Sequence, residues 1–296
     1  MENTHRLLDP QAIARLQGIP FHAKRTVEGY LSGKHRSSFH GFSVEFAEHR
    51  EYAPGDDLRY LDWKVYGRTD KFYLKQFEEE TNLACHILLD GSESMRYQSE
   101  KTPFSKLEYA QRAAAALAYW ILHQQDSVGL AVFDQDVRTL IRASGNPSRL
   151  NELLDVIENV TPKQKTALGP IFHSLAEQLK KRGIVIVLSD MFDDVDAMMH
   201  GLNHFRHRRH EVIVMHVLDP AELDFPFDQA TLFRGLEQMP DLLVDPRALR
   251  KSYLVEFQRY LHKLKAGCHR HGIDYVLLRT DQPLDLVLST YLVSRK

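Results

Sequence analysis

The sequence predicts an α/β fold, a doubly wound, mostly parallel sheet flanked by helices. From Cys85 onward, short β-branched apolar runs alternate with helical patterns, as βαβ units do. Three of these runs lead into an acid, at Asp90, Asp190 and Asp219, and open α/β sheets bind ligands outside that edge. The composition is that of a globular chain: 296 residues, 43% hydrophobic, with 38 Lys+Arg against 40 Asp+Glu.

Taken in order, Asp9-Pro10 starts a helical stretch, Lys24 to Leu31 resembles a second, and Ser32 to His49 has no clear period. Arg50 to Trp63 is dense in Arg, Asp and aromatics and reads as a clasp. Residues 1–80 are therefore expected to form an N-terminal extension and 81–296 the α/β domain. Cys85 to Asp90 is a continuous apolar run, too short for a helix and suited to a central strand. Ser105-Lys-Leu-Glu108 reads as a capping box that opens an Ala-rich helix to about His123. Val128 to Phe133 and Val137 to Ile141 are close enough to form a hairpin, so one edge strand is expected to be antiparallel. Pro147 to Asn159 is helical, and after a loop from Thr161 to Leu168 a helix runs through Lys181, started by Pro170 and stopped by Gly183. Ile184 to Leu188 is a buried strand, Val195 to Arg206 a helix, and Val212 to Val217 a strand. Pro220 to Pro246 reads as a small insertion containing a hairpin. It is followed by a helix to His271 with Gly272 placed to stop it, a strand from Asp274 to Arg279, and a helix from Asp285 to Val293.

Composition excludes several classes. Near-zero net charge argues against a dedicated nucleic-acid binder, which shows a basic excess. Two cysteines, Cys85 and Cys268, cannot make a disulfide framework. No apolar run reaches the roughly 18 residues that span a bilayer, and Met1 to Arg6 has no apolar leader core. The expectation is a cytoplasmic chain without membrane insertion.

The chemistry concentrates in Asp90-Gly-Ser-Glu-Ser94. Spacing at i, i+2 and i+4 in an extended turn lets Asp90, Ser92 and Ser94 face one point. A carboxylate and two hydroxyls are hard ligands suited to Mg²⁺ or Mn²⁺. A doubly wound sheet would bring Thr166 and Asp190 to the same edge. Here the sequence resembles the von Willebrand factor A domain: Asp90, Ser92, Ser94, Thr166 and Asp190 match its metal-ion-dependent adhesion site. The resemblance implies that Ser92 and Ser94 bind the metal directly, that Thr166 and the two aspartates complete the site directly or through water, and that a partner's carboxylate takes the open position. The alternative is that Asp90 and Ser92 only cap the following turn. Glu93 and Asp193 read as solvated neighbours.

The clasp, Arg50-x-Tyr52-x-Pro54-Gly55-Asp56-Asp57-x-Arg59-x-x-Asp62-Trp63 with Gly67-Arg68, resembles the bacterial family catalogued as domain of unknown function 58, and with the A-type core the likeness covers most of the chain. Gly67 stands where many members have Ala. Physically, Pro54-Gly55 sets a turn, Asp56 or Asp57 can cap a short helix, Arg50 and Arg59 can bridge those acids, and Trp63 is expected to contribute core burial. The clasp is either architectural or a partner-docking face.

Other chemistry finds less support. A haloacid-dehalogenase phosphatase wants a second Asp where Ser92 stands, no G-x-S-x-G elbow exists, and Ser32-Gly-Lys34 lacks the first P-loop glycine. His200 and His204 have no identifiable third ligand, and Cys268-His269-x-His271 is weaker still. The family resemblance implies a Mg²⁺-dependent, non-enzymatic adaptor working with a MoxR-type AAA+ ATPase. Its rivals are a metal-dependent phosphohydrolase using Asp193 or Glu93 as base, and an RNA binder working through Arg206 to His210 with steep salt dependence.

Overall fold

The computed structural model describes residues 7–16, 19, 44–52, 61–79, 83–163, 167–229, 231–233, 235 and 241–295. The chain divides into two units, Leu31–Asn82 and Met1–Tyr30 with Leu83–Lys296. Of the described residues in the expected 1–80 extension, 7–16 and 19 fall in the larger unit and 44–52 and 61–79 in the smaller. Helix α1 (Pro10–Leu16) begins at the anticipated Asp9-Pro10 and buries Ala12 and Leu16 in the core of the larger unit. The second helix expected at Lys24 to Leu31 lies outside the described residues.

In the smaller unit, β1 (Val44–Glu51) pairs antiparallel with β2 (Tyr73–Glu79), with α2 (Trp63–Thr69) between them in sequence. Neither strand was expected; in β1 a register shift between Phe46 and Glu48 breaks the two-residue alternation that marks a strand. Helix α2 is capped by Asp62, whose carboxylate accepts from the N–H groups of Lys64 (2.9 Å) and Val65 (3.3 Å). Trp63 is 64% exposed, so the expected burial of its ring is corrected. It meets Tyr66 edge-on, and Tyr66 stacks on Phe72. Asp62→Ala should therefore cost about 1 kcal/mol through the lost cap, whereas Trp63→Ala should change stability by no more than about 0.5 kcal/mol. Urea unfolding of the two variants checks the order.

The larger unit holds a six-stranded sheet. Its strands are β3 (Ala84–Asp90), β4 (Ser127–Phe133), β5 (Val137–Ser144), β6 (Gly183–Ser189), β7 (Glu211–Leu218) and β10 (Asp274–Arg279), while β8 (Thr231–Phe233) and β9 (Leu242–Val244) form a separate hairpin in the insertion. The order is β10-β7-β6-β3-β4-β5, parallel except for β5, the antiparallel edge expected from the short Asp134-Gln-Asp136 turn. Helices cover both faces. They are α3 (Lys106–His123), α4 (Leu150–Glu158), α5 (Leu168–Gln178), α6 (Val195–His207), α7 (Pro220–Asp224), α8 (Pro246–Arg270) and α9 (Leu284–Ser294). Residues one apart on a strand face opposite layers. Ile184, Ile186 and Leu188 pack with α1, α3, α4 and α9, while Val185 and Val187 pack with α5, α6 and α8. Both cysteines are buried and free.

Two expected punctuation marks act differently. Pro170 sits inside the first turn of α5, which begins at Leu168 and ends at Gln178. Gly183 opens β6 instead of stopping that helix, because a Cβ there would lie 1.8 Å from the carbonyl oxygen of Ala84 on β3. Gly272 does close α8, at φ +62°.

Candidate functional site at the C-terminal edge of the sheet

Adjacent strands β3 and β6 deliver Asp90 and the Ser189-Asp190 pair to the same edge. The Asp90 carboxylate accepts the N–H of Ser92 at 2.9 Å and the hydroxyl of Ser189 at 2.5 Å. Ser189 Oγ in turn accepts the N–H of Met191 at 2.9 Å, which pins a residue held at φ 54° next to the site. The hydroxyls of Ser92 and Ser94 lie 3.1 Å apart, and Ser94 helps hold Asp190 in its ionised form. Four of the five expected ligands are thus assembled, with Asp90, Ser92 and Asp190 buried and Ser94 half-buried. Thr166 lies outside the described residues.

The sequence reading missed the group that sets the charge here. Lys106, 1% exposed, donates to Asp190 Oδ2 at 2.8 Å and to Glu222 Oε1 at 2.7 Å, with its ammonium 5.1 Å from the centre of the Phe192 ring. A lysine as the first residue of a helix opposes the helix dipole, so its place just after the Ser105 cap is the sequence signal that something acidic must face it. Glu222 completes a capping box on α7, its second oxygen accepting the N–H of Asp219 at 2.8 Å. Asp219, the third strand-end acid, does not join the oxygen cluster. It accepts from Ser99 N–H (3.0 Å) and the hydroxyls of Thr102 (3.2 Å) and Thr280 (3.4 Å), fastening the loop between β3 and α3.

The two aspartates respond in opposite directions. Burial and the charge of Asp190 push Asp90 up to about 7, against the pull of Ser189 and Ser92. Burial also works against the charge of Asp190, but Lys106, Ser94 and the Phe192 N–H hold it below the usual carboxylate range. Burial raises Glu222 and lowers His216 to about 4. Neutral His216 bridges the Asp190 carbonyl (Nε2, 2.7 Å) and the Tyr275 hydroxyl (Nδ1, 2.8 Å). A carbonyl only accepts, so Nε2 carries the proton and Tyr275 donates to Nδ1. Lys106 meets only Asp190 and Glu222, so with Asp90 the three acids carry two negative charges beyond the one ammonium when all are ionised. Asp90, Ser92, Ser94 and Asp190 are the described oxygens that could hold a hard divalent cation, and their charge deficit fits one.

Other expected site residues stand apart. Asp193 Oδ2 accepts the Leu168 N–H at 2.7 Å, and its Oδ1 accepts the Asp194 N–H at 2.7 Å, so it anchors the start of α5 instead of being merely solvated. Glu93 faces Arg96 at 3.9 Å. Among the described residues, no group of three or more His, Cys, Asp or Glu is placed to hold a metal, the His200–His204 pair included. In the clasp, Arg50 lies on β1, and Tyr52, Asp62, Trp63 and Arg68 are described, while Pro54, Gly55, Asp56, Asp57 and Arg59 lie outside the described residues.

Residues 48–262 match the family described as protein of unknown function DUF58, a segment that takes in the whole clasp from Arg50 onward and all five oxygen residues. The chain belongs to the DUF58 family. Uncharacterized proteins of Mycobacterium tuberculosis and Mycobacterium bovis are each 24% identical to this DUF58 protein over 293 residues, covering 97% of this chain and 91% of their own. Among solved structures, the conserved hypothetical protein BatB from Bacteroides thetaiotaomicron aligns over 72% of this chain and 98% of its own, with 19% identity and a TM-score of 0.47. The SpRpn10 VWA domain aligns over 73% of this chain and 96% of its own, at 13% identity and a TM-score of 0.41.

Proposed function

We propose that this DUF58 protein is a Mg²⁺-dependent (or Mn²⁺-dependent) protein–protein interaction adaptor of the cytoplasm. In this reading Asp90, Ser92, Ser94, Thr166 and Asp190 hold the ion, and a MoxR-type AAA+ ATPase is the partner with which it assembles or matures client complexes. The observation that carries the reading is the convergence of two buried acids and two hydroxyls whose charge a single ammonium does not balance. When bound, the ion supplies a hard, partly hydrated position that a partner's carboxylate can take. Ser92 and Ser94 are the neutral donors that leave such an ion short of negative ligands, while Lys106 keeps Asp190 ionised and oriented. Trp63 and Phe72, both exposed, give the smaller unit an aromatic surface suited to a docking role. Among the described residues, no helix is long and apolar enough to cross a membrane.

The phosphohydrolase reading needs a free base beside the metal, and both oxygens of Asp193 are already committed to backbone N–H groups. Asp190→Ala is a poor test of the adaptor, because it would strip the buried Lys106 of one of its two acids. Ser92→Ala/Ser94→Ala removes donors without unbalancing charge. In a pull-down against a MoxR-type ATPase, EDTA should release the partner. The double variant should melt like the wild type yet dissociate at least about tenfold faster, since loss of a short-range contact acts on k_off. Undiminished capture in EDTA would sink the adhesion mechanism.

A further inference from the structure

The opposite edge of the sheet holds a second feature, independent of the acidic site. A cavity of about 490 Å³ opens there, lined by His86 of β3, Leu140 and Arg142 of β5, and Leu179, Lys180 and Lys181 ahead of β6. No Asp or Glu is among its described lining residues, so three cations face one space without an acid in its wall. His86 is 5% exposed, yet its Nε2 has no hydrogen-bond partner, and His210, whose ring meets it edge-on at 6.1 Å, has an unpartnered Nδ1. A buried polar atom left unpaired in a fold costs about 1–3 kcal/mol, so the His86 Nε2 in the wall of a basic cavity calls for a ligand. Burial lowers His86 to about 4, so the positive charge of the cavity resides in Arg142, Lys180 and Lys181.

We propose that this cavity binds a small phosphate ester. Arg142 offers the fork that grips two phosphate oxygens, and Lys180 and Lys181 are point charges matched to a dianion. The volume exceeds what bare phosphate fills and falls within the range of small-molecule sites. Leu140 and Leu179 give it an aliphatic wall, and no Phe, Tyr or Trp is among the described lining residues, so a sugar-sized body fits where a nucleobase would find no ring to stack on.

Calorimetry in EDTA tests this with ribose 5-phosphate, ribose and inorganic phosphate as probes. Ribose 5-phosphate should saturate one site per chain, inorganic phosphate should bind more weakly, and ribose should give no heat. Arg142→Gln/Lys181→Gln changes two exposed side chains and should leave the melting temperature unchanged while weakening ribose 5-phosphate at least about tenfold. The proposal is overturned if ribose 5-phosphate does not saturate by about 10 mM, a range that already covers weak sites. Equal binding to the double variant, or binding that requires Mg²⁺ and so belongs to the acidic edge, overturns it as well.

Discussion

Lys106→Met should destabilise the protein by about 3–5 kcal/mol in metal-free buffer, because it removes one partner from a buried ion cluster and leaves Asp190 and Glu222 uncompensated. Methionine keeps the stem volume and the helix propensity, so the loss reports the charge and not the packing. For a domain of this size the melting temperature should fall on the order of 10 °C. Added Mg²⁺ should recover part of the loss, and more in the variant than in the wild type, since a cation that binds the folded state stabilises it and the variant site is more negative. A Lys106→Met protein within about 1 kcal/mol of wild type would show that the cluster is solvated and that the charge argument for the site is wrong.

Gly183→Ala should be of similar severity. The added Cβ would meet the carbonyl oxygen of Ala84, which belongs to the paired central strand and cannot rotate away as a side chain would. Relief requires β3 and β6 to separate at the start of their ladder, at a cost of about 3 kcal/mol or more, near the upper end for overpacking. Because that ladder also carries Asp90 and Ser189 to the site, any folded Gly183→Ala protein should bind divalent ions more weakly than wild type. Urea unfolding measures the first effect. A variant that unfolds at the wild-type midpoint would refute the close approach of the two backbones.

The sheet was legible because its strands are buried on both faces, so continuous apolar runs such as Ile184 to Leu188 stand out against amphipathic or Ala-rich helices. The capping box at Ser105 and the Pro220–Pro246 insertion were legible for equally local reasons. The β1–β2 pair was not, since a bulge shifts the phase of the alternation in β1 near Phe46. Gly183 was misread as a helix stop because its reason lies in another strand, 99 residues away (183 − 84). At the site, the Asp90–Ser92–Ser94 spacing is local and readable. Lys106, Ser189 and Glu222 matter only through contacts that the fold creates, and a lysine read from sequence is placed in solvent by default. The exposure of Trp63 is the converse error, an aromatic residue assigned to a core that it does not enter.

The adaptor account stands or falls on whether the acidic edge binds a divalent ion. Titration calorimetry of Mg²⁺ and Mn²⁺ into metal-free wild type and into Ser92→Ala/Ser94→Ala tests that most directly. The account predicts one weak site per chain in the wild type, and at least about tenfold weaker binding in the double variant at unchanged stability, as expected when two direct ligands of a poorly charged site are lost. Equal binding by the two proteins, or none by the wild type, would contradict it.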